Sequence, residues 1–149
     1  MDLNSKNYKG ETPFTLAYEK GHGKVIDLIA FESFNQNLDM GNTTPLHIIA
    51  ERGNLELCKT ILINIKDKNP KDSHGNIPLH IASKTGHHDL CKLFIENGMD
   101  LESKNNSLAT PLQLAKDNLH VEIVELIAFK RGIMHQRRTT RGAKKRRLN

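Results

Sequence analysis

The sequence predicts an all-α repeat protein: a solenoid of stacked helix-turn-helix units joined by extended hairpin loops. Three observations predict it. Prolines recur at 13, 45, 78 and 111, with gaps of 32, 33 and 33 residues, inside TPFTLAY, TPLHIIA, IPLHIAS and TPLQLAK. Eight positions after each proline come Gly21, Gly53, Gly86 and Leu119. The opening heptad MDLNSKN returns 98 residues later as MDLESKN, from Met99 to Asn105, with six of seven residues the same. Self-similarity at such a period marks a repeat architecture before any single-domain fold.

Each unit reads as two short helices. The first opens at Thr-Pro, or Ile-Pro in the third unit: proline suits a first turn, where its missing N–H would be unpaired, and a threonine hydroxyl can cap the free amides. Leu46, Ile49 and Ala50 then share one apolar face, as do Leu79 and Ala82. Gly21, Gly53 or Gly86 ends that helix, where a left-handed residue is needed. The second helix carries Val25, Ile26, Leu28 and Ile29 in the first unit. Its equivalents are Leu57, Cys58, Ile61 and Leu62, then Leu90, Cys91, Leu93 and Phe94, then Ile123, Val124, Leu126 and Ile127. That spacing makes an apolar stripe of helical period. A polar, extended stretch such as KNPKDSHGN follows, with Gly75 placed for a tight turn. One unit alone cannot bury its apolar face, whereas stacked units can.

TPLHIIAERGN and IPLHIASKTGHHDLCKLFIENGMD resemble ankyrin repeats, and the motif recurs in phase four times over about residues 2–130. The resemblance implies an L-shaped stack of helix pairs with projecting β-hairpins. Residues 1–11 then correspond to the remnant hairpin of a preceding repeat, 12–38, 39–71 and 72–104 to repeats one to three, 105–131 to a fourth, C-terminal capping repeat, and 132–149 to a basic tail expected to be disordered. MDLNSKN looks like the tail of an upstream repeat; a natural start within half a hairpin and a cut from a longer array both account for it. The first repeat departs from the family pattern with Thr15 in place of His and with bulky Tyr18; the fourth departs with Leu108 and Leu119 at turn-glycine positions and Gln113 for His. Terminal units of solenoids are commonly atypical because one face meets water.

Composition narrows the function. The 149 residues include no Trp, five Phe and two Tyr, too few for a stacking platform on single-stranded nucleic acid. No apolar run reaches the length of a membrane span and no signal peptide is recognisable, so no stable membrane insertion is expected. Two cysteines, Cys58 and Cys91, do not make a disulfide framework; a reducing, intracellular setting, cytoplasmic or nuclear, is expected. Net charge is +5, but residues 130–149 alone carry nine basic side chains and no acid, which leaves 13 basic and 17 acidic residues before them.

Candidate chemistry is sparse. His47 and His80, in TPLH, stand a full repeat apart rather than at metal-ligand spacing; as in other ankyrin repeats, they are expected to tie neighbouring hairpins by hydrogen bonds. His22, His87, His88 and His120 lie at the starts of second helices and lack the acid or thiol partners of a designed metal site. Cys58 and Cys91 occupy the same slot in adjacent repeats and read as small buried apolar residues. Gly21-His22-Gly23-Lys24 lacks the full phosphate-loop pattern. No catalytic set stands out, so the chain is not expected to be an enzyme or to need a cofactor or metal.

What remains is surface. The resemblance implies a concave face built from hairpin tips and the ends of first helices. The candidate partner-binding residues are Tyr8, Lys9, Glu11, Met40, Thr43, Ser73, His74, Asn76 and Asn106 on the hairpins, with Glu19, Lys20, Glu51, Arg52, Lys84, Thr85 and Asp117 on the helices. Tyr8, Met40, Arg52 and His74 are the expected anchors. In the tail, Lys130-Arg131 and, twelve residues on, Lys144-Lys145-Arg146-Arg147 resemble a bipartite nuclear import signal, which makes importin a partner; a basic arm binding nucleic acid or acidic lipid weakly, and a plain solubilising end or linker, are the competing readings. Arg137-Arg138-Thr139-Thr140 resembles a basophilic kinase site at Thr140, where phosphate would cut the local charge. The expected function is a monomeric interaction module, a scaffold, adaptor or inhibitor that binds a folded partner on its concave face. The alternative is a fragment of a larger enzyme or channel whose active domain lies elsewhere.

Overall fold

A computed structural model describes residues 5–35 and 43–132. They form α1 (Pro13–Glu19), α2 (Gly23–Asn35), α3 (Pro45–Arg52), α4 (Leu55–Leu62), α5 (Pro78–Thr85), α6 (His88–Glu96) and α7 (Pro111–Asp117), and an eighth helix, α8, over residues 121–132. Proline opens α1, α3, α5 and α7. The Thr12 and Thr110 hydroxyls accept hydrogen bonds from the Thr15 and Gln113 amides, which satisfies one of the donors each helix start leaves free.

Odd- and even-numbered helices make two layers. The first helices pack side by side, α3 on α5 and α5 on α7, and the second helices form another row, α2 on α4 and α4 on α6. Leu46, Ile49, Ala50, Leu79, Ala82 and Ala115 from the first layer and Ile26, Cys58, Ile61, Leu90, Phe94, Ile123 and Ile127 from the second fill one continuous core. Met99 and Leu101, from the repeated heptad, belong to the same core.

The two ends of the stack differ. Val25 is 46% exposed in the first unit, whereas Leu90 and Ile123 in the same slot are at 1%. Leu28 is exposed as well. At the other end, polar side chains stand on the outside. Lys116 is exposed in the slot that Ala50 and Ser83 bury, and Gln113 in the slot of the buried His47 and His80.

The described loops before α1, α5 and α7 are tight turns, and no strand forms among the described residues. One side chain organises each: Asn7 Oδ1 accepts from the Lys9 and Glu11 amides, Asp72 Oδ1 from those of His74 and Asn76, and Asn105 Oδ1 from those of Ser107 and Ala109, all at 2.8–3.0 Å. Backbone bonds from Asn7 to Glu11, Asp72 to Asn76 and Asn105 to Ala109 close them.

Gly53, Gly75 and Gly86 are left-handed, with φ of 74°, 74° and 84°. Each also lies under the next unit. A Cβ on Gly53 would stand 2.5 Å from the His87 ring, one on Gly86 2.6 Å from the His120 ring, and one on Gly75 2.4 Å from Asn106 Oδ1. In the last unit the same slots hold Leu119 and Leu108, both at φ 60° and both exposed. Among the described residues nothing stacks beyond them, so only the backbone cost remains, about 1–2 kcal/mol for a left-handed L-residue. Replacing Leu119 or Leu108 with glycine should therefore raise stability in urea by about 0.5–1 kcal/mol, the relief being offset partly by glycine's greater unfolded-state freedom. Gly86→Ala should lower it by about 2–4 kcal/mol, because strain and a clash add.

Candidate functional site

The face that could meet a partner is set by the turns, and the turns are set by two buried imidazoles. His47 Nδ1 accepts from the Thr44 amide at 3.3 Å and the Thr44 hydroxyl at 2.9 Å; its Nε2 donates to the Asn76 carbonyl at 2.8 Å. His80 does the same one unit on: Nδ1 accepts from the Ile77 amide at 3.2 Å and Nε2 donates to the Ala109 carbonyl at 3.1 Å. Because a backbone N–H can only donate, each Nδ1 must be an acceptor, and the proton sits on Nε2. Each ring thus binds its own helix start to the next unit's turn. Side chains of the turns add to this: Asn105 Nδ2 donates to Asn76 Oδ1 at 2.9 Å, and the Asn106 amide donates to the His74 carbonyl at 2.9 Å.

A second pair of histidines works at the other end of the first helices. His87 Nε2 lies 2.9 Å from the Glu51 carbonyl and His120 Nε2 lies 3.0 Å from the Lys84 carbonyl. Those carbonyls belong to last turns, which have no partner within the helix. The junction of units one and two is built otherwise. Asp27 takes Arg52 Nε at 2.7 Å and Asn54 Nδ2 at 2.9 Å, and the Tyr18 hydroxyl donates to Glu51 at 2.8 Å.

Two grooves run along the concave side. One, of about 730 Å³ between units three and four, is lined by His74, Asn76, Lys84, Asn106 and Asp117 with Asp72, over an apolar floor of Ile81, Leu108 and Leu114. The other, of about 280 Å³, is lined by Phe14 and Tyr18 of unit one, Thr43, His47, Ile48 and Glu51 of unit two, and Asp72 and Ile81 of unit three. Seven of the sequence-derived candidates thus line a groove. Ser73 lies at the rim, where its carbonyl accepts from Asn106 Nδ2, and the Thr85 hydroxyl is turned back onto the Ile81 carbonyl. Tyr8, Lys9 and Glu11 form the first turn, with Tyr8 91% exposed and Lys9 Nζ 5.7 Å from its ring centre. Glu19 and Lys20 are exposed at the end of α1 and line neither groove. Arg52 is drawn away to Asp27 on α2. Met40 lies outside the described residues.

The floor was not singled out from sequence. Leu16, Ile48, Ile81 and Leu114 all stand three residues after the prolines; Ile48 is buried in the core, Ile81 and Leu114 are half-buried, and Leu16 is exposed. That recurrence is the signal that marks them. A second periodic signal is the Asx residue six before each proline, Asn7, Asp39, Asp72 and Asn105, three of which organise the described turns.

A family model for ankyrin repeats, three copies, matches residues 1–72 and 46–139. The chain belongs to the ankyrin-repeat family. A search of the curated proteins found no significant match. Ankyrin repeats are a non-catalytic fold that generally binds other proteins.

In this ankyrin array the remaining candidate groups take structural roles. Burial pushes the Cys58 and Cys91 thiols up to about 12, so both stay protonated and apolar at neutral pH. Among the described residues no three His, Cys, Asp or Glu side chains converge as metal ligands, and no helix is long and apolar enough to cross a membrane. Lys130 is half-buried, and Arg131 pairs with Glu102, Nη2 to Oε2 at 3.0 Å. Thr140 and Lys144 to Arg147 lie outside the described residues.

Burial, the larger influence, lowers both His47 and His80 below the ordinary 6.5 despite the carbonyl bonds, which act the other way. The folded ankyrin array therefore takes up these protons less readily than the unfolded chain does. Stability should fall as pH drops through 6.5, and this loss should level off below the folded values. Urea midpoints should be lower at about pH 5.5 than at about pH 7.5, and His80→Gln should flatten part of that slope.

Proposed function

We propose that this ankyrin array binds a folded protein partner on its concave face, as a scaffold, adaptor or inhibitor, without making or breaking bonds. The observation that carries the proposal is an apolar floor of half-buried Ile81 and Leu114, equivalent positions in successive units, beneath polar turn and helix-end residues. Apolar groups at the centre with polar groups around them give the anatomy of a specific interface. The turns are already held by His47, His80 and the Asx residues, so little ordering cost is left for binding. Ile81→Asp should weaken capture of partners by the tagged full-length chain roughly tenfold or more, since a carboxylate would be buried unpaired. Lys92→Glu, on the exposed side of α6, should leave capture unchanged. Quantitative mass spectrometry of the two pull-downs against wild type checks both, and equal capture by the Ile81 variant would sink the proposal.

We also assign residues 130–149 a part in nuclear import. What supports this is charge distribution alone, nine basic residues and no acid. A fluorescent reporter fused to these residues should concentrate in the nucleus, and alanines at Lys144, Lys145, Arg146 and Arg147 should return it to the cytoplasm.

A further inference from the structure

We propose that the smaller groove receives a cationic side chain, an arginine or lysine on the partner's chain. This rests on the concave face being the docking surface and narrows what docks there. The groove is small, about 280 Å³, and side chains of the first three units line it. From α1 come Phe14 and Tyr18, their ring centres 6.0 Å apart and their planes tilted by 35°. From α3 comes Glu51, from the turn of unit three Asp72, and the floor is half-buried Ile81 with the edge of core residue Ile48 behind it.

The Tyr18 hydroxyl donates to Glu51 Oε1 at 2.8 Å, which fixes ring and carboxylate relative to each other and, among the described residues, leaves Oε2 available. The Glu51 bond, then burial and the Glu51 charge, raise the Tyr18 phenol above its ordinary value, so it remains a donor. Burial raises the Asp72 carboxyl, but hydrogen bonds from Asn76 and His74 together outweigh it and keep it ionised.

Among the described lining residues nothing positive offsets these two carboxylates. His47 is neutral, since its Nδ1 accepts from the Thr44 amide. Arg52, next to Glu51 in sequence, is turned away to Asp27. An uncompensated pair of carboxylates beside two aromatic faces is complementary to a cation, through both charge and the ring quadrupole. The aliphatic stem of arginine or lysine would cover Ile81 while its head meets Glu51. A neutral apolar group would cover the same floor but shut Glu51 from water without a partner. The larger groove differs here because Lys84 lines it.

The test uses the full-length chain, isotopically labelled, and capped peptides of sequence Gly-Ser-Leu-X-Leu-Ser-Gly, with X arginine, lysine, citrulline or glutamate. Arginine and lysine peptides should give saturable shifts at Tyr18, Ile48 and Glu51. Citrulline, the neutral shape match, should bind roughly fivefold more weakly, and glutamate should not bind. Glu51→Gln keeps an oxygen for Tyr18 and should lower affinity for the arginine peptide roughly fivefold while leaving that for citrulline unchanged. Raising salt from about 50 to about 300 mM should weaken the arginine peptide alone. Tyr18→Leu, a second variant that keeps the carboxylate, should also weaken it. Equal binding of arginine and citrulline, shifts confined to Lys84 and Asn106, or no saturable shift by about 10 mM peptide would each overturn the inference. None of these outcomes changes what the Ile81→Asp pull-down reports, so the wider docking proposal stands or falls by itself.

Discussion

Two short helices cannot close a core between themselves, and everything else in this molecule follows from that shortage. Each unit's apolar face is covered only when the next unit arrives in register. Register is kept by a buried ring that spans the boundary: His47 reaches the Asn76 carbonyl, and His80 the Ala109 carbonyl. An imidazole suits the task because it can accept at one nitrogen from its own helix start and donate from the other to the next turn. It does so uncharged, so burial adds no ionic penalty. The same constraint explains the glycines. Gly53 and Gly86 turn the chain, and they also leave room for the rings of His87 and His120 to close over the helix ends.

The stack is not uniform along its length, and the differences bear on binding. Where units three and four meet, histidine and asparagine bonds hold turn to turn. Where units one and two meet, the ties among the described residues are Asp27 with Arg52 and Asn54, and the Tyr18–Glu51 bond. Thr15 closes on Thr12 within its own helix start, and among the described residues it makes no such reach. The first junction therefore places aromatic and acidic side chains on the concave side, and the later one places amides and a lysine there. One fold thus offers two grooves of different chemistry, because the residues that vary between units do not have to pack the core.

Much of this was legible beforehand. The proline period located every first helix, and the glycine eight residues on located the end of the first three. Cys58 and Cys91 could be recognised as core because their slot carries apolar residues in every unit. His47 and His80 could be recognised as ties from the TPLH setting. The groove floor was less legible. Ile81 sits in a helix whose apolar face was already accounted for by Leu79 and Ala82, and an extra apolar residue there reads as more core, as its equivalent Ile48 is, until the facing surface is known. Arg52 illustrates the opposite case. It looks like an anchor at a helix end, yet Asp27 lies close enough to draw it aside.

By itself the sequence determined the repeat, its period, the order of helices and the absence of a recognisable catalytic set, because these depend on local preference and spacing along one chain. Only the tertiary structure decided which side chains meet across unit boundaries. It set the neutral form of His47 and His80, the second reason for Gly53, Gly75 and Gly86, the tolerance of Leu108 and Leu119 where nothing described stacks above them, and the gathering of Phe14, Tyr18, Glu51 and Asp72 around one hollow. Those residues lie up to 58 positions apart, and no local rule relates them. They come together because units of nearly constant length, stacked in register, bring equivalent positions side by side.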